Sequence, residues 1–165
     1  MKVRIRIICS YIFLLLLISG CTNPYKVRQI PFSEPTSPNP DETLIYVFRE
    51  NSSFGGARKF AIICNDTVRG VLTPGTFCNF KVRSGENEIV AYMSPSPLMH
   101  YRVQDRPGKT AYLFCKVGYT TGMFMEEISE HKAVGLMQEF KYTEIEVKNQ
   151  KAKMNYKDYY DSLYK

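Results

Sequence analysis

Between Thr43 and Val117 the chain is cut into short β-branched and apolar runs by turn-forming residues at intervals of about ten, which leaves no room for a helix between one run and the next. The runs are 44–49, 59–64, 68–72, 77–82, 88–93, 98–103 and 110–117, and 142–147 adds another. The punctuation between them is specific. Asn65 and Asp66 tolerate positive φ and predict a hairpin, while Pro74-Gly75, Ser84-Gly85-Glu86-Asn87 and Pro107-Gly108 predict turns. Ser94-Pro95-Ser96-Pro97 blocks strand continuation, so 98–103 reads as an edge strand. Residues 77–82 alternate Cys78, Phe80 and Val82 against Phe77, Asn79 and Lys81, the pattern of a strand with one dry face. About eight such strands do not make a parallel α/β sheet, whose crossovers are helical. The expectation is an all-β, two-layer antiparallel β-sandwich. One short helix follows it, carried by Ile128, Ala133, Val134, Met137 and Phe140 and weakened by Gly135, with 118–122 a loop.

The whole chain has 165 residues, 44% hydrophobic and 23% charged, which suits one folded domain with appendages and neither wholesale disorder nor a polytopic membrane protein. The appendages begin with an address. Lys2, Arg4 and Arg6 precede an apolar stretch, 7–18, that is too short to span a bilayer and reads as an export signal. Leu17-Ile18-Ser19-Gly20-Cys21 resembles the bacterial lipobox, in which the Cys thiol takes a diacylglyceryl group and becomes an acylated N-terminus once residues 1–20 are cleaved. An uncleaved helix, or an ordinary secretory signal with a chance Cys, is the alternative. Two or three acyl chains, palmitate among them, anchor persistently where one holds marginally. Thr22 stands where the inner-membrane retention signal of enteric lipoproteins places Asp, so the lipobox resemblance implies the outer membrane, facing the periplasm, as the destination. The net charge is +6, and removing the three signal cations leaves 6 − 3 = +3, too little to argue for nucleic acid.

Residues 21–42 carry Pro24, Pro31, Pro35, Pro38 and Pro40 and predict a stiffened tether reaching up to about 60 Å from the bilayer. The alternative is a loop packed along the domain through Tyr25, Val27, Ile30 and Phe32. The domain itself is placed at 43–140 and a basic, Tyr-rich extension at 141–165.

The order of Tyr46-Val47-Phe48-Arg49, the Asn65-Asp66 hairpin leading to Gly70-Val71-Leu72, Pro74-Gly75-Thr76-Phe77 and Pro107-Gly108-Lys109-Thr110-Ala111-Tyr112-Leu113 resembles a family of bacterial lipoprotein domains catalogued as domain of unknown function 2846. The resemblance covers about 43–140. It departs at Asn65-Asp66, where the family tends to have Asp-Gly, and at Ser84-Gly85-Glu86-Asn87, where a Pro-Gly-x-His turn is usual. It implies an immunoglobulin-like or transthyretin-like sandwich on a lipid anchor, and it brings no catalytic residues.

Chemistry is thin. With Cys9 lost and Cys21 acylated, Cys64, Cys78 and Cys115 face an oxidising compartment, so one thiol is left over from any pairing. Cys78 and Cys115 lie on inward faces and are the preferred disulfide. Cys64 with either of them, or three buried small hydrophobes, stays open. His100 and His131 are the only imidazoles that could serve a thiol nucleophile, and both read as surface residues. Glu126, Glu127, Glu130 and His131 suit a hard cation by type but read as a solvated helix start. No CxxC, phosphate loop, nucleophile elbow or HExxH occurs. The expectation is therefore a membrane-anchored lipoprotein, without cofactor, metal or catalytic activity, that serves as a binding or envelope-structural module, with an envelope protein or peptidoglycan as the candidate partner beside the membrane itself. The rivals are a periplasmic thiol enzyme and a small-ligand carrier with a cavity between the sheets. For 148–165, an anionic-polymer, lipid-headgroup or partner contact stands against a solvated terminal segment.

Overall fold

The computed structural model describes residues 25–53, 58–93, 99–118 and 122–147. Cys21, the signal and 148–165 lie outside the described residues.

The turns that organise the sequence organise the chain. β1 (Tyr25–Gln29) and β2 (Glu42–Arg49) are followed by β3 (Phe60–Cys64), which returns as β4 (Thr67–Leu72). Asn65 and Asp66 between those two strands take φ of 47° and 61°, the left-handed pair that a two-residue hairpin needs. Pro74 and Gly75 (φ 67°) then turn the chain into β5 (Thr76–Arg83), and β6 (Asn87–Tyr92) and β7 (Met99–Val103) follow. A second Pro-Gly turn at Gly108 (φ 69°) opens β8 (Lys109–Gly118), succeeded by β9 (Gly122–Glu127), α1 (Glu130–Glu139) and β10 (Lys141–Val147).

These strands make two sheets, one ordered β1-β10-β5-β2-β8-β9 and the other β4-β3-β6-β7. The protein is an all-β sandwich with a single short helix, as its turn pattern predicts. Ile45, Val47, Leu113 and Cys115 from the larger sheet meet Phe60, Ile62, Leu72 and Ile89 from the smaller in one buried layer. The opposite face of the larger sheet is also dry: Leu44, Tyr46, Phe48, Phe77 and Phe114 lie under α1 through Ala133, Leu136 and Met137. That is why β2 is buried along nearly its whole length and reads as a continuous apolar run rather than an alternating one. Ser129 caps the helix by accepting from Lys132 N at 3.4 Å. Ile128 just before it shares the cluster with Ala133, the arrangement of a hydrophobic staple. Val134, expected on the buried face, is 47% exposed; Leu136 occupies that face.

Four expectations are corrected. The larger sheet is mixed, because β2 pairs with β8 in parallel over Thr43–Arg49 and β10 pairs with β5 in parallel at Lys141 and Tyr142. A parallel pair needs a long crossover: between β2 and β8 the chain makes it through strands of both sheets with no helix, and between β5 and β10 the connection includes α1. The segment 21–42 is not a free tether over its described part. Tyr25–Gln29 pairs antiparallel with β10, and Phe32 packs edge-on against Phe77 at 5.2 Å between centroids. The boundary at 140 also fails, since 141–147 is a strand lying between β1 and β5. From there Val27 and Ile145 pack on Ala61, Ile63, Val68, Val71 and Tyr92, the outer face of the smaller sheet. The expected loop at 118–122 is shorter than drawn, because β8 ends at Gly118 and β9 begins at Gly122.

Candidate functional site

The three thiols belong to the sandwich interior. Cys64, Cys78 and Cys115 are buried and free, and the expected Cys78–Cys115 disulfide is not made. The sheet explains why. Cys78 stands opposite Val47 on one side of β2, and Cys115 stands opposite Arg49 on the other. Two strand spacings of about 4.8 Å, with a two-residue offset added, hold their Cα atoms beyond the ~7 Å limit for a disulfide. Sequence parity put both side chains on the inner face and had no means of showing that a strand runs between them. Cys78 instead meets the smaller sheet at Gly70, where a Cβ would come within 2.5 Å of its Sγ, so the glycine is required by close packing.

Burial fixes the chemistry of these thiols. It pushes Cys64 up to about 11 and Cys78 up to about 12. Cys115 is raised further, by burial first and by Cys78 second, against an opposing pull from Arg49. At neutral pH well under one thiol in a thousand is ionised, and the thiolate is the reactive species. In the native protein all three are expected to react with an aromatic disulfide reagent at least about 100-fold more slowly than after unfolding, because reaction waits on opening of the core. Peptide mapping of the label checks this. Fast native labelling at any of the three positions would restore the thiol-enzyme reading.

Arg49 is the feature that the sequence did not advertise. It ends β2 with only 1% exposure, donates from Nη1 to Leu72 O at 2.9 Å and to Arg58 O at 2.5 Å, and stacks over Phe60 at 3.8 Å from the ring centroid. Burial lowers its pKa to about 10, which leaves the guanidinium charged at neutral pH. The one available signal was a cation closing an otherwise apolar run.

The imidazoles and acids are elsewhere. His100 projects from β7 to the outside, 3.3 Å from Glu88, on the opposite side of the sheet from the thiols. Beside it, Asn65, Glu86, Glu88 and Arg102 line an open cleft of about 230 Å³. Arg102 pairs with Glu86 there, and Asn65 Oδ1 accepts from Glu88 N. Glu126 and Glu127 lie on β9 rather than at the helix start, and successive strand residues point to opposite faces. Glu126 is held by Lys116 at 2.5 Å and lies near Lys132; that hydrogen bond from Lys116 keeps its carboxyl below the usual range. Glu127 is engaged by Arg106 and by the Tyr101 hydroxyl. The four candidate ligands are thus not brought together, and among the described residues no group of His, Cys, Asp and Glu is placed to hold a metal ion.

What fold and side chains define is a two-sheet β-sandwich with sealed thiols and a charged outer surface. No family model matches the chain, and no curated protein matches it. Among solved structures, an NMR structure of a protein from Eubacterium rectale is similar at 9% identity, covering 53% of this chain and 88% of that one, with a TM-score of 0.40.

Proposed function

We propose that this chain is a lipid-anchored lipoprotein of the bacterial envelope, of the kind represented by the domain-of-unknown-function 2846 family. It is held at the outer membrane, facing the periplasm, through acyl chains on Cys21, and its sandwich is a non-catalytic binding or envelope-structural module. The observation that carries this reading is Leu17-Ile18-Ser19-Gly20-Cys21 behind a basic start and a short apolar run. The protonated, enclosed thiols favour a binding role over a thiol nucleophile. The continuous buried layer between the sheets, which includes Ile45, Val47, Phe60, Ile62, Leu72 and Leu113, favours a packed interior over a carrier's cavity.

Replacing Cys21 by Ser is expected to remove the acyl mass and to take the protein out of the outer-membrane fraction, since no residue other than that Cys would carry the acyl chains. Fractionation together with the intact mass of native material checks it. An unmodified thiol at 21 with residues 1–20 still attached overturns the reading. Crosslinking in intact cells tests the module, with peptidoglycan or an envelope protein as the expected capture.

A further inference from the structure

The outer face of the larger sheet is covered in two pieces. Residues 30–41, which connect β1 to β2, cross it on one side: Phe32 packs on Phe77 at 5.2 Å between centroids, and Thr36 Oγ1 and Ser37 O accept from Lys81 Nζ at 3.0 and 3.1 Å. Glu34 therefore falls between the levels of Phe77 and Lys81 on β5, beside Asn79, which stands opposite Tyr46. The helix α1 covers the other side. The chain enters it where Ile128 N donates to Tyr112 O at 2.9 Å and leaves it at Phe140, 6.5 Å from the Phe48 ring, so Glu130 in the first turn lies at the Tyr112 end.

Tyr46 lies between the two pieces. Its ring stacks on that of Tyr112 at 5.3 Å between centroids, and the residue is only 3% exposed. Its hydroxyl nevertheless has no hydrogen-bond partner among the described residues. Among them no buried side-chain nitrogen or oxygen lacks one, so this oxygen opens to solvent in the gap. Polar groups on enclosed side chains are normally paired within the fold, so a hydroxyl held here with nothing to bond is placed for a partner from outside.

The charge around it has one sign. Burial first, and then Tyr112, Glu34 and Tyr142, raise the pKa of Tyr46; burial first, and then Glu130, raise that of Tyr112. Carboxylates from both covering pieces thus bear on the same two hydroxyls, and neither Glu34 nor Glu130 forms an ion pair among the described residues. Lys81 and Lys132 are engaged elsewhere, Lys81 by Thr36 and Ser37 and Lys132 by Glu126 at 3.8 Å and the Phe114 ring at 5.2 Å. The start of α1 does not oppose a cation, since Ser129 accepts from Lys132 N and Glu130 sits in the same turn.

We propose that this gap binds an organic cation, a primary ammonium group on an unbranched aliphatic stem. The Tyr46 hydroxyl and the Glu34 and Glu130 carboxylates take its N–H donors, and its stem lies against the half-buried Tyr112 ring. The inference goes beyond the reading above: it gives the sandwich a ligand class and does not depend on the anchor.

The test titrates the full chain, its tyrosines labelled with carbon-13, with n-butylammonium and follows the ring signals of Tyr46 and Tyr112 by NMR. Saturable shifts are expected, with an affinity at least about tenfold above that for 1-butanol or butyrate. Tyr46→Phe keeps the ring and should weaken binding about threefold or more, read from Tyr112, while its melting temperature stays within about 2 °C of the parent because the lost hydroxyl bonds to nothing in the domain. E34Q/E130Q should weaken binding about tenfold, and E86Q/E88Q, at the other acidic cleft, should leave it unchanged. No saturable shift up to about 50 mM, equal affinity for 1-butanol, or unchanged affinity in Tyr46→Phe or E34Q/E130Q overturns the proposal. So does a preference for butyrate, which would make the start of α1 an anion site, or a loss confined to E86Q/E88Q, which would place the cation between β6 and β7. None of these results touches the acylation of Cys21, which fractionation and mass test separately.

Discussion

Arg49→Ala is expected to lower the unfolding free energy by about 3–5 kcal/mol, enough to remove a large part of the stability of a domain this size. Three losses combine. Leu72 O, in a buried hydrogen bond, loses a charged donor, Arg58 O loses the contact that ties the end of the β2–β3 loop to β2, and the face of Phe60 loses its stacked guanidinium. Arg49→Met separates volume from polarity, because it refills the space without supplying a donor. It should recover part of the loss and still cost about 1–3 kcal/mol, the penalty for a buried acceptor left unpaired. Arg49→Lys should not rescue, since an ammonium lacks the planar fork that reaches a carbonyl while stacking on a ring. Denaturant titrations with an unchanged m-value provide the measurement. An Arg49→Ala variant within 1 kcal/mol of the parent would show that the desolvation reflected in the lowered pKa cancels the gain from these contacts.

Ending the chain after Phe140 is expected to abolish cooperative unfolding, whereas ending it after Val147 should leave a cooperative transition within a few degrees of the parent. The seven residues between those stops are disproportionately placed. β10 joins β1 to β5, Tyr142 packs against Phe77 and Phe32, and Ile145 helps cover the outer face of the smaller sheet. The buried Thr143 hydroxyl donates to Phe77 O at 3.2 Å. Without them β1 has no ladder and a dry sheet face meets water. Thermal melts followed by circular dichroism on both truncations decide the matter. A cooperative transition in the shorter chain would show that the core closes without this strand.

The parts of this fold that were legible in the sequence are those written in local turn chemistry. Asn65-Asp66, Pro74-Gly75 and Pro107-Gly108 dictate their own backbone angles, and the strands they join lie within two residues of where the runs suggested. β1 was hidden because Tyr25–Gln29 has prolines around it and one apolar side chain turned inward, and its partner lies at the far end of the domain. β9 was hidden because Glu126 and Glu127, read with Glu130, look like the acidic first turn of a helix. The parallel pairing of β2 with β8 is not legible in the runs themselves, because strands as well as a helix can make the return between two parallel neighbours. The site was less legible than the fold. Inward parity for Cys78 and Cys115 was correct, but their separation depends on β2 lying between them, and strand order is a global property that spacing does not encode.

The pairing of the first described strand with the last sets an order of events for a chain that emerges N-terminus first. Until almost the whole domain has been delivered, β1 has no neighbour, and β5, which already lies beside β2, exposes an open edge. Contacts of such long sequence separation form late and slowly. The incomplete molecule therefore passes through an interval in which strand edges are available to other chains, and holding factors active during that interval would influence yield more than the stability of the finished sandwich does.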